Sequence, residues 1–279
     1  MSQISMLKSV LRDRLPWRIS MLTSINCRYI PNTVALEKRI TSIFQFRAEC
    51  SDSNSDIPPN APGVTPYGKS MIEEMNRVGL LVDLSHSAHQ TALDVLNISR
   101  APVIFSHSAV SALCDIERNV PNDVLQALAV NGGVVMVSFY NTFLTCGNPA
   151  TVQDVRDHIN HIRAIAGVDH IGIGAGYDGI NSTPKGLEDT SKYPELFAEF
   201  LKDPSWTAID LKKLAGLNIL RVLSRVDEVR DALSSESPME DIIPIHDVES
   251  LWPCRYKFSN VNTSDLLVPV VMQSFIESH

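Results

Sequence analysis

Short apolar runs alternate with helix-like segments along most of this chain, and this alternation limits its fold more than any other feature. Four runs rich in aliphatic residues occupy positions 80–86, 101–107, 134–140 and 170–179. Apolar residues at helical spacing mark segments 67–78, 87–98, 122–130, 152–166, 193–202 and 208–233. Apolar strands that alternate with helices form parallel sheets covered on both faces. The pattern predicts an α/β protein, either an open doubly wound sheet or a closed (β/α)8 barrel, and no GxGxxG motif supports a dinucleotide-binding fold.

The composition is that of an ordinary globular protein. Of 279 residues, 44% are hydrophobic and 20% are charged, which allows a sizeable core and excludes disordered, collagen-like and coiled-coil classes. A net charge of −8 disfavours nucleic acid as the main partner. Five cysteines are too few for a disulfide scaffold, although a single pair stays open.

The N-terminal part differs from the rest in charge. Residues 1–48 carry eight basic and two acidic side chains, a net charge of +6, so the remainder carries −14. Such a composition is typical of a transit peptide and also of a basic surface segment, and we favour the second interpretation. The chain has no hydrophobic signal sequence and no apolar run of membrane-spanning length, which favours a cytoplasmic location. We expect three regions: a basic N-terminal segment with a linker (1–60), the β/α portion (61–250) and a C-terminal tail (251–279).

Two histidines end consecutive apolar runs. His86 closes the first run and His107 closes the second, and each lies in a Ser-His-Ser tripeptide. The carboxyl ends of parallel strands meet on one face, so these imidazoles are expected to lie side by side, where they would suit zinc. The alternative is that each is a polar cap on a strand, and the two interpretations weigh about equally. His158 and His161 lie one helical turn apart, but we expect them on the solvent side of their helix.

Six sequence blocks resemble the zinc-dependent membrane (renal-type) dipeptidases and their fungal and bacterial relatives. The resemblance extends from about residue 63 to about residue 223 and is carried by VGLLVDLSH, SRAPVIFSHS, ERNVPNDVL, GVVMVSFYN, HIGIGAGYDG and GLEDTSKYPELFAEFL. It implies a (β/α)8 TIM barrel of the metallo-dependent hydrolase type with two zinc ions. It also implies hydrolysis of the peptide bond of dipeptides, including cysteinyl-glycine, and opening of β-lactam rings by some members.

The same resemblance implies roles for individual residues. His86 and His107 would be two ligands of one zinc ion. Arg118 would contact the substrate or its oxyanion, a role that suits an always charged guanidinium able to grip two oxygens; its bland alternative is a surface salt bridge. Cys114 and Cys146 fall where secreted members of the family form a disulfide.

The chain also departs from the family pattern. The family holds its other zinc with a His-x-Asp pair and bridges the two ions with a glutamate, but here no histidine precedes His86 and no His-x-Asp occurs. The position of the family's acid/base aspartate is Gly176, which leaves Asp178 as a substitute on the opposite side of the strand. General acid–base groups typically contribute about a hundred- to ten-thousand-fold in rate. These departures predict impaired chemistry and a barrel incomplete at its N-terminus, with 28–34 and 43–49 as candidate strands.

Three hypotheses follow. The first is a zinc metallodipeptidase by descent, N-terminally truncated or altered, with ligands for at most one zinc ion. The second is a catalytically inactive family member that acts as a binding partner or pseudoenzyme. The third, carried least by the residues, is another barrel hydrolase such as an amidohydrolase. The expected partner is a dipeptide substrate, and the sequence leaves open a homo-oligomer.

Overall fold

The computed structural model of this protein describes residues 63–242. Eight α-helices and three β-strands alternate along that range: α1 Pro66–Val78, α2 His89–Ile98, β1 Ile104–Ser108, α3 Asn122–Asn131, β2 Val134–Val137, α4 Asn141–Thr145, α5 Val152–Ala166, β3 Ile171–Ile173, α6 Tyr193–Phe200, α7 Ala208–Lys212 and α8 Asn218–Ala232. The predicted alternation of strand and helix is therefore confirmed. The predicted strands at 28–34 and 43–49, the N-terminal segment 1–60 and the tail 251–279 lie outside the described residues.

The strands form a parallel sheet in chain order, β1-β2-β3. Ile104 pairs with Val134, and Val135 pairs with Ile171. The first apolar run, 80–86, lies beside β1 and meets it at one bridge, Asp83 opposite Ile104. All four apolar runs thus lie side by side with their carboxyl ends at the same edge, as the sequence predicts for consecutive strands of a parallel sheet or barrel.

Alternate residues of the strands enter two cores. Val103, Phe105 and Val135 pack with residues of α1 to α5 in the larger cluster. Ile104 and Val134, which point the other way, pack against Val222, Val226 and Val229 of α8. Successive side chains of a strand face opposite sides of the sheet. Because both sides are covered here, the strands are apolar at nearly every position.

Local signals explain where the helices begin and end. The Thr65 hydroxyl accepts the amide N–H of Gly68 at the start of α1, and Pro66 occupies its first turn. Gly79 ends α1 with φ +74°, a left-handed conformation that favours glycine. At α5, Thr151 and Asp154 form a capping box, in which each side chain bonds the other residue's backbone.

Two predicted elements are wrong in detail. The run 170–179 is a strand only from Ile171 to Ile173, because the chain turns at Gly176 (φ +77°) into a short 3₁₀ helix, Tyr177–Gly179. The predicted helix 208–233 is divided by a π-helical segment, Lys213–Leu217, in which Gly216 is not helical.

The histidines of α5 do not share one environment. We predicted that His158 and His161 face solvent, but His158 is only 1% exposed. Its Nδ1 accepts the amide N–H of Val110 at 3.1 Å, and its Nε2 bonds the Leu144 carbonyl at 2.9 Å. His161 is half-buried and bonds Asn122 Oδ1. The prediction for His158 failed because an imidazole with both nitrogens satisfied can be buried beside apolar residues.

Among residues 63–242, no helix combines the length and the apolar character needed to cross a bilayer.

Candidate active site

The two predicted ligand histidines meet at the carboxyl edge of the sheet. His107 lies in β1, and His86 ends the neighbouring run 80–86. Their Nε2 atoms are 2.9 Å apart, and their ring centroids are 4.9 Å apart. Two imidazole nitrogens bound to one tetrahedral zinc ion are separated by about 3.3 Å. The two ring nitrogens therefore lie at nearly the separation that two ligands of one such ion need.

His86 is held in an uncommon backbone conformation. Its φ is +72°, in the left-handed region that residues with a Cβ rarely adopt. Such strain costs on the order of 1–3 kcal/mol, and it persists where the surrounding structure imposes it, frequently at functional sites. At His86 the chain leaves the sheet edge and turns toward α2.

Burial keeps both imidazoles neutral. Burial, with smaller effects from the Arg118 charge and the neighbouring His107, lowers the pKa of His86 to about 2. It lowers the pKa of His107 to about 4, with Arg118 lowering it and Asp83 opposing the change. A neutral imidazole has a nitrogen lone pair to offer, so near pH 7 the pair is in the protonation state that a metal ion requires.

Three serines and an aspartate surround this pair. The Asp83 carboxylate accepts the amide N–H groups of Ser85 and Ser106, at 2.9 and 3.0 Å, on Oδ1. Ser106 Oγ bonds both Asp83 Oδ2 and His107 Nδ1, the second at 2.7 Å. Ser85 Oγ accepts the amide N–H of His107 at 3.0 Å and contacts Ser108 Oγ at 3.0 Å. These bonds fix the loop around His86 against the end of β1.

Asp83, Ser85, Ser106 and Ser108 are site residues that the sequence analysis misses. One signal was available for Asp83, a carboxylate within an otherwise apolar run, VGLLVDLSH. Asp83 is 2% exposed, and a buried carboxylate needs hydrogen-bond donors around it. The repeated Ser-His-Ser tripeptide was a second signal, since the serines supply hydroxyls at the same strand ends.

Arg118 is buried beside His107. It is 7% exposed, and it donates to Ser108 Oγ at 2.8 Å and to the His107 carbonyl at 2.7 Å. The guanidinium carbon lies 4.7 Å from the centre of the Phe143 ring. Burial lowers the pKa of Arg118 to about 10, against the charge of Asp83, which raises it. The guanidinium therefore adds a buried positive charge next to His107, and its Nε has no hydrogen-bond partner among the described residues.

A disulfide joins the two segments that hold Arg118 and its aromatic neighbour. Cys114 and Cys146 are bonded, with their Cα atoms 5.5 Å apart. Asn119 Nδ2 donates to the carbonyls of Cys114 and Phe143, at 2.9 and 2.8 Å. The loop that carries Arg118 is thereby tied to α4.

Among the described residues, the carboxyl end of the fourth run adds no carboxylate to the two histidines to complete a metal-ligand group. Gly176 has no side chain, and Asp178 is exposed in the 3₁₀ turn that follows. A Cβ built at Gly176 meets no heavy atom closer than 3.9 Å, so there is room for a side chain. Within residues 63–242, no three or more His, Cys, Asp or Glu side chains are grouped to hold a metal ion. The described residues thus fit a metal ion as two of its ligands, fewer than the three that protein zinc sites ordinarily have.

Comparison with known proteins supplies the family. A sequence model described as "Membrane dipeptidase (Peptidase family M19)" matches residues 37–237. Dipeptidase 3 of Macaca fascicularis is 46% identical over 185 residues, which are 66% of this chain and 38% of that protein. Dipeptidase aclJ of Aspergillus oryzae is 43% identical over 195 residues, 69% of this chain and 46% of that protein. This chain spans less than half the length of either relative.

Solved structures agree with the sequence comparison. The probable dipeptidase PvdM from Pseudomonas aeruginosa superposes with a TM-score of 0.58 at 24% identity, over 62% of this chain and 57% of that one. A metallo peptidase from Rhodobacter sphaeroides, liganded with a phosphinate mimic of the dipeptide L-Ala-D-Ala, gives a TM-score of 0.56 at 28% identity, over 60% of this chain and 49% of that one. The predicted TIM-barrel-like fold of a metallo-dependent hydrolase is confirmed at this level.

Proposed function

This chain belongs to the membrane dipeptidase family, peptidase family M19, and we propose that it is a zinc dipeptidase that hydrolyses the peptide bond of dipeptides of the cysteinyl-glycine type. The observation that carries the proposal is the convergence of His86 and His107, whose Nε2 atoms are 2.9 Å apart at the carboxyl edge of a parallel sheet. Carboxyl edges of such strands are where barrel enzymes build their active sites.

His86 and His107 would hold the ion from one side through their Nε2 atoms. A zinc ion there would polarise the peptide carbonyl and lower the pKa of a water molecule. Ligands beyond these two have to come from outside residues 63–242, from water or from another chain.

Arg118 would stabilise the negative charge that develops on the carbonyl oxygen during attack. Its positive charge lies beside His107 and is buried away from bulk water. In such a buried position an electrostatic interaction is stronger than at an exposed surface. Two of its nitrogens already bond Ser108 and the His107 backbone, so these contacts orient the guanidinium for substrate.

Proton transfer to the leaving amine is the step for which the described residues offer least. Gly176 carries no proton, and Asp178 is our candidate for that transfer because it follows Gly176 by two residues and is exposed at the same strand end. Turnover is expected to be slow for this reason.

The test combines metal content with activity of the full chain. We would measure bound zinc by mass spectrometry and hydrolysis of cysteinyl-glycine for the wild type and for the variants His86→Gln and His107→Gln. His89→Gln is the matched control, since His89 is an exposed histidine that pairs with Asp123. Zinc and turnover that are both lost in the two site variants, and kept in the control, would support the proposal.

Two other outcomes would overturn it. Zinc bound through both histidines without any hydrolysis of dipeptides would favour the family member that acts through binding. Zinc and turnover that are unaffected by His86→Gln and His107→Gln would show that these residues are not the ligands.

A further inference from the structure

His107 is held on the side away from His86 by a chain of two side chains. Its Nδ1 lies 2.7 Å from Ser106 Oγ, and Ser106 Oγ in turn bonds Asp83 Oδ2. The His107 backbone is fixed separately, because its amide N–H donates to Ser85 Oγ and its carbonyl accepts from Arg118. Backbone and ring are thus both restrained, and the ring nitrogen that faces Ser106 has a defined partner.

The number of hydrogens in this chain of bonds decides where the His107 proton lies. A serine hydroxyl has one hydrogen to donate, and a carboxylate can only accept. Ser106 therefore donates to Asp83, so it can only accept from His107, and His107 must carry its proton on Nδ1. A neutral imidazole has one N–H, so His107 Nε2 is left with a lone pair.

We propose that Asp83, acting through Ser106, is a positioning residue that keeps His107 in the tautomer with a lone pair on Nε2 directed at the metal position. Ligand histidines commonly bond an acceptor through their other nitrogen, which sets the ring's tautomer and orientation. Here the acceptor is the Ser106 hydroxyl. It can only accept from His107 because its one hydrogen is donated to the buried Asp83 carboxylate.

The two histidines are unequal as a consequence. Their Nε2 atoms are 2.9 Å apart, and such a hydrogen bond needs one donor. With the lone pair on His107, the donor is His86 Nε2–H. His86 Nδ1 is buried and has no hydrogen-bond partner among residues 63–242. His107 is therefore ready to bind a cation, whereas His86 has to transfer its proton to Nδ1 first.

The two oxygens of Asp83 have separable tasks. Oδ1 accepts backbone N–H groups from Ser85 and Ser106 and holds the 80–86 run to β1. Oδ2 accepts the Ser106 hydroxyl. Ser106→Ala removes only the second link, so it is a cleaner test of positioning than a change at Asp83.

The first measurement needs no metal. The inference rests on the proposed function only in assigning the His107 Nε2 lone pair to metal binding. Full-length protein with ¹⁵N-labelled histidine would be studied by NMR near pH 7 after chelation of metal, with His107 assigned from the spectrum of His107→Gln. We expect the His107 proton on Nδ1 in the wild type, a shift of population toward Nε2–H in Ser106→Ala, and recovery in Ser106→Thr, which restores the hydroxyl. Ser87→Ala is the matched control, because Ser87 Oγ donates to the Leu84 carbonyl and the tautomer should not change.

The second measurement titrates Zn²⁺ against a competing chelator. Loss of a group that orients a ligand histidine typically weakens metal binding by roughly 10- to 100-fold, and we expect this in Ser106→Ala but not in Ser87→Ala or Ser106→Thr. A wild-type His107 protonated on Nε2 would overturn the inference, and this result does not depend on the folding of any site variant. An unchanged tautomer in folded Ser106→Ala would also overturn it. If the tautomer behaves as expected and no form binds Zn²⁺, the proposed function fails and the inference about the tautomer stands.

Discussion

Replacement of Gly174 by alanine tests a close approach between the chain after β3 and the backbone of β1. Gly174 follows β3, and its amide N–H donates to the Val137 carbonyl at 3.0 Å. A Cβ added at Gly174 would lie 1.9 Å from the Ser106 carbonyl oxygen and 2.9 Å from Met136 Cβ. The chain just after β3 therefore lies against the backbone of β1 at Ser106, whose hydroxyl bonds the His107 ring.

The size of the effect follows from these distances. A carbon and a carbonyl oxygen approach to about 3.3 Å without repulsion, so backbone atoms of Gly174 or Ser106 would have to move by more than 1 Å. Overpacking a core typically costs about 1–3 kcal/mol. Because the obstructing atom belongs to the backbone and cannot rotate away, we expect Gly174→Ala to cost about 3 kcal/mol or more.

A graded series of glycine variants gives the assay its controls. At Gly179 an added Cβ meets no heavy atom within 4 Å, so Gly179→Ala should change the free energy of unfolding by less than about 0.5 kcal/mol. At Gly172 the nearest atom is Met136 Cγ at 3.1 Å, on a flexible side chain, so Gly172→Ala should cost about 1 kcal/mol. Urea unfolding followed by circular dichroism would measure all three.

One result would refute the reasoning. If Gly174→Ala unfolds at the same urea concentration as Gly179→Ala, the Ser106 carbonyl does not lie against Gly174. The same result would remove the reason given for a glycine at this position.

Three further predictions concern acid stability, the disulfide and the missing acid. Burial lowers the pKa of His158, so the unfolded chain takes up a proton near pH 6.5 before the folded chain does, and stability present above pH 6.5 is lost as the pH falls. Urea unfolding from pH 7 to pH 5 should show stability falling with the pH by at most about 1.4 kcal/mol per pH unit from this group, and an unchanged slope in His158→Gln would contradict it. Reduction of the Cys114–Cys146 bond, whose partners are 32 residues apart, should lower the free energy of unfolding by about 3–4 kcal/mol. The control is the Cys114→Ser/Cys146→Ser variant, in which a reductant should have no effect. Gly176→Asp should increase dipeptide hydrolysis by about a hundredfold. Gly186→Asp, at a similar φ of +89°, is the control and should not increase it. Equal rates for both variants would argue against an acid at position 176.

The residues that sequence reasoning placed correctly are those with a repeating or terminal signal. The alternation of apolar runs and amphipathic segments predicted the parallel β/α order, because apolar periodicity reports which faces of an element are buried. The positions of His86 and His107 at the ends of consecutive runs predicted that they would meet, because parallel strands end on one edge. Pro66 and Gly79 begin and end α1 for equally local reasons.

Other features depend on contacts between residues far apart in the chain, and no local pattern contains them. The link from Asp83 to Ser106 spans 23 residues, and only the pairing of the 80–86 run with β1 brings these side chains together. His158 carries the same local pattern as a surface histidine, but its two bonds to Val110 and Leu144 make burial favourable.

The sequence by itself determined the family, the order of strands and helices, and which two histidines lie at the ends of neighbouring strands. Periodicity and residue type, on which these depend, are properties of short segments. Only the tertiary structure decided the tautomer of His107, the depth of Arg118 and the need for glycine at position 174. Each of these depends on which hydrogen-bond donors, acceptors and backbone atoms of distant segments come within 3 Å, and that is determined by packing.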